Sequence, residues 1–289
     1  MDKLRACAIV IGLEVNEDGT KSAEPTAEND ARSMAEFLKG RGFRLLSVDA
    51  NGEIAEKPMT GESATKEAVT ATVKYAAKKI DQGGTLVVFF SGHGFSAPQE
   101  DLPDGRAEGW VLHDGNMWDR EWKLLLAEFA AGVHVVVVSD SCFSGGMGPP
   151  DADDPDPLPV LPDCHGARHV SEKKAAQIWE RERTRYADLQ RNPKLDATVL
   201  LFAACQANQN ACVGKKNGLF TSRLIDIAQD PMLSYRDMYL KVRARFHRRG
   251  TQSPFYWPAG PDQHEFSREP AFSVEGASDL DGGPGPDPQ

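Results

Sequence analysis

Two runs of β-branched and aromatic residues constrain this chain more than anything else in it. One is Val133-His134-Val135-Val136-Val137-Val138, followed at once by Ser139-Asp140-Ser141-Cys142-Phe143-Ser144-Gly145-Gly146. The other, about fifty residues earlier, is Thr85-Leu86-Val87-Val88-Phe89-Phe90, followed by Ser91-Gly92-His93-Gly94. Runs this uniformly apolar over the length of a strand are buried on both faces, as in a parallel sheet covered by helices. Each gives way to a turn of small residues, one carrying an imidazole and the other a thiol. Active sites of open parallel sheets gather at the carboxyl ends of the strands. If the two runs are neighbouring strands, His93 faces Cys142 there, a base beside a thiol nucleophile.

The elements around these runs support an α/β sheet. Ala6–Leu13 reads as a first buried strand, and Ala31, Met34, Ala35 and Leu38 give the segment Thr26–Lys39 one apolar helical face. Phe43–Val48 reads as a second strand and Asp49–Gly61 as loop. Thr65 can cap a helix whose apolar positions include Val69, Val73, Ala76 and Ile80, ended by Gly83-Gly84. Strand–helix–strand–helix–strand is the pattern of a right-handed parallel sheet. Phe95–Gly109 reads as a polar loop, Trp110–Gly115 as a short strand and turn, and Trp118–Ala131 as a helix.

After the thiol turn, Pro149–Pro162 is dense in Asp and Pro and reads as an exposed linker. Residues 171–191 read as a charged helix anchored by Ile178, Trp179 and Leu189. Ala197–Ala204 restores a buried strand, with helices expected over Leu219–Ala228 and Ser234–Arg249. Pro254–Trp257 can form an edge strand, and the Gly/Pro/Asp-rich tail from Asp279 reads as disordered. The division is thus 1–148 for the half carrying His93 and Cys142, 149–195 for linker and insert, 196–270 for the second half of the same domain, and 271–289 for the tail.

A net charge of −10 argues against nucleic acid or an anionic membrane as the main partner. No signal-peptide pattern or apolar run of transmembrane length stands out, and the five scattered cysteines fit a reducing cytosol. On this reading Cys7, Cys205 and Cys212 are core or loop thiols. Cys164, His165 and His169 have metal-ligand chemistry but lack the partner pair of a zinc site.

The order His before Cys, at this spacing, is that of the caspase group. The turns Ser91-Gly92-His93-Gly94 and Asp140-Ser141-Cys142-Phe143-Ser144-Gly145 resemble those of the metacaspase and bacterial orthocaspase branch. Glu28-Asn29-Asp30-Ala31 is similar to its N-D-A helix, Ala204-Cys205-Gln206-Ala207-Asn208-Gln209 to its A-C-x-x-N-Q motif, and Gly218-Leu219-Phe220-Thr221 to the G-x-F-T that follows. The resemblance implies a caspase-like three-layer sandwich around a mostly parallel six-stranded sheet. It implies a cysteine endopeptidase with a His93–Cys142 dyad working through a thioester, and an oxyanion hole made by the backbone N–H groups of Gly94 and Cys142. Asp30 and Asp140, with Ser91 on the wall, would line a first specificity pocket for Arg or Lys. A carboxylate pair repels unless a cation sits between its members, so a basic side chain is the natural ligand.

The expected partners are protein or peptide substrates with Arg or Lys at the cleavage site, with an activator protein as a further candidate. Neither nucleic acid nor membrane is expected. Basic residues from Lys173 to Arg191 form a solvated face or, because the insert lies between the two halves, self-processing sites within 164–194. Relatives of this type often need calcium; the weak candidates here are Glu108, Asp119 and Glu121. Arg120 between the last two opposes a dication, and no cofactor is expected. The competing reading is a non-enzymatic caspase-fold interaction module. Retention of His93, Cys142, Asp30 and Asp140 together counts against it.

Overall fold

The structure, a computed structural model, describes residues 3–14, 25–49, 51–98, 106–142, 164–189, 193–206, 209–246 and 252–274. The first half contains β1 (Leu4–Leu13), α1 (Thr26–Gly40), β2 (Arg44–Leu45), β3 (Ser47–Val48), β4 (Ile54–Ala55), β5 (Met59–Thr60), α2 (Lys66–Lys79) and β6 (Ile80–Gly92). Next come β7 (Gly94–Pro98), β8 (Arg106–Leu112), β9 (Gly115–Trp118), α3 (Asp119–Leu126) and β10 (His134–Asp140). Beyond the thiol turn lie β11 (Gly166–Ala167), α4 (Glu172–Asp188), β12 (Thr198–Ala203), β13 (Cys212–Val213), α5 (Leu219–Ala228), α6 (Tyr235–Phe246), β14 (Phe255–Ala259) and α7 (Gln263–Phe266).

The main sheet runs β14-β12-β10-β6-β1-β2, with the short β5 as a seventh strand beside β1. Its pairings are parallel except at the β14 edge, which is antiparallel to β12. Alternation along each strand divides the core. Ile9, Ile11, Val88, Phe90, Val135 and Val137 face α2, α3 and the aromatic residues Trp110 and Trp122. Their neighbours Ala8, Val10, Val87, Phe89, Val136 and Val138 face α1, α5 and α6. Because strand side chains alternate with period two, one uniformly apolar run supplies both layers. The result is the three-layer α/β sandwich, with six strands on its main path. No helix among the described residues is long and apolar enough to cross a membrane.

Several expectations need correction, among them the loop expected over Asp49–Gly61, which contains β4 and β5. The segment taken as a polar loop after His93 contains instead an antiparallel meander, β7-β8-β9, separate from the main sheet. Its inner face carries Phe95, Ala97, Ala107 and Trp118, and α4 covers it with Val170 before it and Ala175, Ile178 and Tyr186 within it. Trp118 therefore belongs to a strand, and α3 starts one residue later. The expected second strand is split: β2 joins β1, whereas β3 turns away to pair with β4. Finally, Cys212 is not a core or loop thiol: it pairs with Cys164 in a disulfide, against the expectation of five reduced cysteines. The Asp/Pro stretch 149–162 and the tail from Asp279 lie outside the described residues.

Candidate active site

Strands β6 and β10 are parallel neighbours, and their register sets Ser91 opposite Asp140. His93 and Cys142 each lie two residues further on, at the carboxyl ends of adjacent strands. Gly94 follows the imidazole closely against the thiol turn: an added Cβ at Gly94 would overlap the Cys142 carbonyl oxygen. Only glycine permits that approach.

A fully buried arginine, Arg168, occupies the space in front of this turn. Its carbonyl oxygen accepts from Gly94 N at 3.0 Å and from Cys142 N at 3.1 Å. These are the two donors expected to form the oxyanion hole, converging on one carbonyl. Its side chain enters a pocket floored by the two expected carboxylates. Nη2 donates to Asp30 Oδ2 at 2.6 Å, while Nη1 lies 3.0 Å from Asp140 Oδ1. Nη1 also donates to the Asp140 carbonyl at 3.2 Å, and Nη2 to Thr26 Oγ1 at 3.3 Å.

Neighbouring donors fix both carboxylates. Asp30 accepts from Ser91 Oγ at 2.9 Å, from Asn217 Nδ2 at 2.8 Å and from Gly218 N at 3.0 Å. Asp140 Oδ2 accepts from Thr221 Oγ1 at 2.7 Å and Thr221 N at 3.0 Å. Asn217, Gly218 and Thr221 open α5 from the second half of the chain, which explains the position of the Gly-x-Phe-Thr motif. Thr26 passes the charge further, donating to Glu14 Oε2 at 2.7 Å. Burial pushes the Asp30 carboxyl up, with the Arg168 guanidinium opposing. For Arg168 burial acts against the charge, but Asp140 and Asp30 more than offset it and hold the guanidinium protonated.

The backbone on either side of Arg168 is held like a bound strand. Gly166 and Ala167 pair antiparallel with Val213 and Cys212, His165 N donates to Val213 O, and Arg168 N donates to Ala211 O. After Arg168, Val170 N donates to Gly94 O. Cys142 is 1% exposed, and its Sγ accepts from Ala211 N at 3.1 Å. Burial pushes the thiol well up, Cys205 adds to this, and the N–H groups of Ala211 and Arg168 offset it only in part.

The calcium candidates are engaged elsewhere. Glu121 takes Lys66 Nζ on both oxygens, at 2.8 and 2.7 Å, and Arg185 Nη2 at 2.7 Å. Asp119 accepts from Tyr186 Oη at 3.2 Å, and Glu108 from Ser96 Oγ at 3.4 Å. Arg120 is itself buried, stacked 4.1 Å from the Tyr186 ring centroid and donating to Tyr186 O. Asp119, Arg120 and Glu121 fasten α4 to α3, whereas the Glu108 contact lies within the meander.

Sequence reasoning named Asp30, Asp140, Ser91, Gly94 and Cys142, and all five converge here. It missed Arg168, Thr26, Asn217 and Ala211. Arg168 stands apart from the basic series of the insert, and no sequence pattern separates it from a solvated arginine.

The sequence model for the caspase domain matches residues 5–264. Metacaspase-4 of Arabidopsis thaliana is 30% identical over 145 residues, which cover 48% of this chain. The match spans 34% of that relative, so this chain corresponds to about a third of its length. The crystal structure of protein GSU0716 from Geobacter sulfurreducens superposes with a TM-score of 0.72 at 27% identity, over 93% of this chain and 99% of that one. Caspase-1 of Spodoptera frugiperda shares the fold alone, with a TM-score of 0.50 at 12% identity over 90% of this chain and 87% of its own. A family match across nearly the whole length makes the chain a member of the caspase-domain family.

Proposed function

We propose that this chain is a cysteine peptidase of the metacaspase type that cleaves after Arg or Lys by a His93–Cys142 dyad, and that one of its own bonds, Arg168–His169, is a substrate. The observation that carries the reading is the double engagement of Arg168. Its guanidinium meets Asp30 and Asp140 while its carbonyl oxygen accepts from both Gly94 N and Cys142 N. A residue anchored at both ends in this way has the placement of the residue whose carbonyl is attacked.

The chemistry follows from those contacts. His93 takes the Cys142 proton and the thiolate adds to the Arg168 carbonyl carbon. The oxygen becomes an anion, stabilised by two N–H donors already in position. Collapse breaks the bond to the His169 nitrogen, which receives the proton from His93 as it leaves. The resulting thioester between Arg168 and Cys142 is hydrolysed by water, restoring the thiol. In trans, an external peptide presents its basic residue to the same pocket once Arg168 has left it.

The test is hydrolysis of fluorogenic peptides ending in Arg, Lys or Asp, with Cys142→Ala as the blank. Turnover of the basic peptides that disappears in the variant is expected. Cleavage after Asp, or turnover unchanged by Cys142→Ala, would overturn the proposal.

A further inference from the structure

The segment carrying Arg168 is tied to the second half of the chain by the Cys164–Cys212 disulfide. Resting on the peptidase reading above, we propose that this bond is a redox latch that keeps the cleaved Arg168 strand in the active site until a dithiol reductant opens it.

The argument begins with what cutting Arg168–His169 releases. On the carboxyl side, Val170 bonds to Gly94 and α4 packs on the meander, so that part stays where it is. On the amino side, every contact of the strand survives. Gly166 and Ala167 keep their ladder with Cys212 and Val213, Arg168 keeps its two carboxylates, and the disulfide lies only four residues upstream of the new terminus. A group tethered by so short a segment sees an effective concentration of about millimolar or above, so the product rebinds before a substrate competes. Peptide-bond cleavage by itself therefore leaves the pocket filled.

Reduction removes the short tether and leaves the longer one, residues 143–167. Cys212 is 1% exposed, whereas Cys164 is only partly buried, so the accessible sulfur is that of Cys164. A reductant thiolate attacks Cys164 Sγ, the sulfur–sulfur bond breaks, and Cys212 leaves as thiolate and takes up a proton. The second thiol of the reductant then displaces Cys164, which leaves as a thiol, and the reductant becomes a disulfide. With both cysteines reduced, the strand keeps its backbone bonds, Arg168 and only the longer covalent path back to Cys142 through residues 143–167, so its effective concentration falls and a substrate can compete for the pocket. The other three cysteines, Cys7, Cys142 and Cys205, are free and buried. The disulfide is therefore the sole covalent link between residues 1–168 and 169–289 after the cut.

That last point gives a direct readout. Full-length protein purified without reductant is run on denaturing gels with and without a phosphine reductant, and assayed on an Arg peptide beside Cys164→Ser. Cys164→Ala accompanies it in case serine perturbs folding. The cut wild type is expected to migrate as one species unreduced and as two fragments reduced. Its peptide turnover rises at least about tenfold on reduction, the scale set by exchanging the short tether for the longer one, since effective concentration falls steeply with tether length. The two Cys164 variants are active without reductant and change less than about twofold when it is added, since the short tether is already absent. A disulfide of purely structural value would produce no such activation. Unreduced cut wild type turning over peptide as fast as Cys164→Ser would overturn the latch. So would equal activation of both proteins, because the reductant would then act on Cys142. Turnover by the variants in either case upholds the peptidase reading. Silence from every protein in both conditions contradicts that reading and the latch with it.

Discussion

Arg168 and Asp30 form an ion pair at 2.6 Å in which neither side chain is exposed to solvent, and Asp140 closes the other side at 3.0 Å. Burying a lone guanidinium or a lone carboxylate costs several kcal/mol, so the three groups are stable only together. On the proposed reading, a pocket that demands a cation defines the residue to be cut. Asp30→Asn and Asp140→Asn should each lower kcat/KM on an Arg peptide by about 2–5 kcal/mol, at least about thirtyfold. Steady-state kinetics measure this, and a change below threefold would remove that carboxylate from the pocket.

Arginine should be preferred to lysine. The two terminal nitrogens of Arg168 reach different carboxylates, and Nη2 also meets Thr26 Oγ1, which is anchored to Glu14. A single ammonium lacks the fork needed to span both sides. Paired Arg and Lys peptides should differ by about tenfold in kcat/KM, roughly one lost charge-assisted hydrogen bond. Thr26→Val should narrow the ratio by weakening Arg turnover while leaving Lys turnover nearly unchanged. Equal rates on both peptides with the native enzyme would contradict the fork argument.

The pH dependence of the nucleophile follows from its burial. With the strand in place the Cys142 thiol is raised well above its ordinary value, so it is protonated at neutral pH. The thiolate is the reactive form, and its fraction grows with pH until the raised pKa is passed. Alkylation of Cys142 by iodoacetamide in the unreduced protein, followed by peptide mass spectrometry, should accelerate about tenfold per pH unit between about pH 7 and 9 without levelling. A plateau near pH 7 would mean an activated thiolate already present beneath the strand.

Calcium should have no effect on activity. Lys66 and Arg185 already satisfy Glu121, and Arg120 is part of the anchor for α4 rather than a stray charge beside a metal. Turnover of an Arg peptide in excess chelator should match that in millimolar calcium; a dependence on the ion would require a site built from other residues.

Most of the scaffold was legible because the buried strands are unambiguous. Val133–Val138 and Thr85–Phe90 could only be central, and parallel pairing then brought the two turns together. Leu219–Ala228 was read to the residue, because Gly218 and the apolar face define it. The meander escapes a sequence reading because β7 and β8 alternate apolar residues with polar ones such as Glu108 and Arg106, which look like loop although Glu108 is buried in the structure. Tyr186, fully buried on α4, was hidden among charged neighbours. Disulfide pairing is a three-dimensional fact: Cys164 and Cys212 lie 48 residues apart and are joined only because β11 adds to β13. The same strand addition buries Arg168, and composition carries no trace of it.

The central claim is that Arg168 lies where a substrate residue is cut. The most direct test is amino-terminal sequencing and intact mass of the reduced wild-type chain after incubation, beside Cys142→Ala. The account predicts a new terminus beginning His169-Val170-Ser171 in the wild type and an intact variant. A wild type that turns over Arg peptides while its own Arg168–His169 bond stays whole, or a cut confined to other basic residues of the insert, would contradict it.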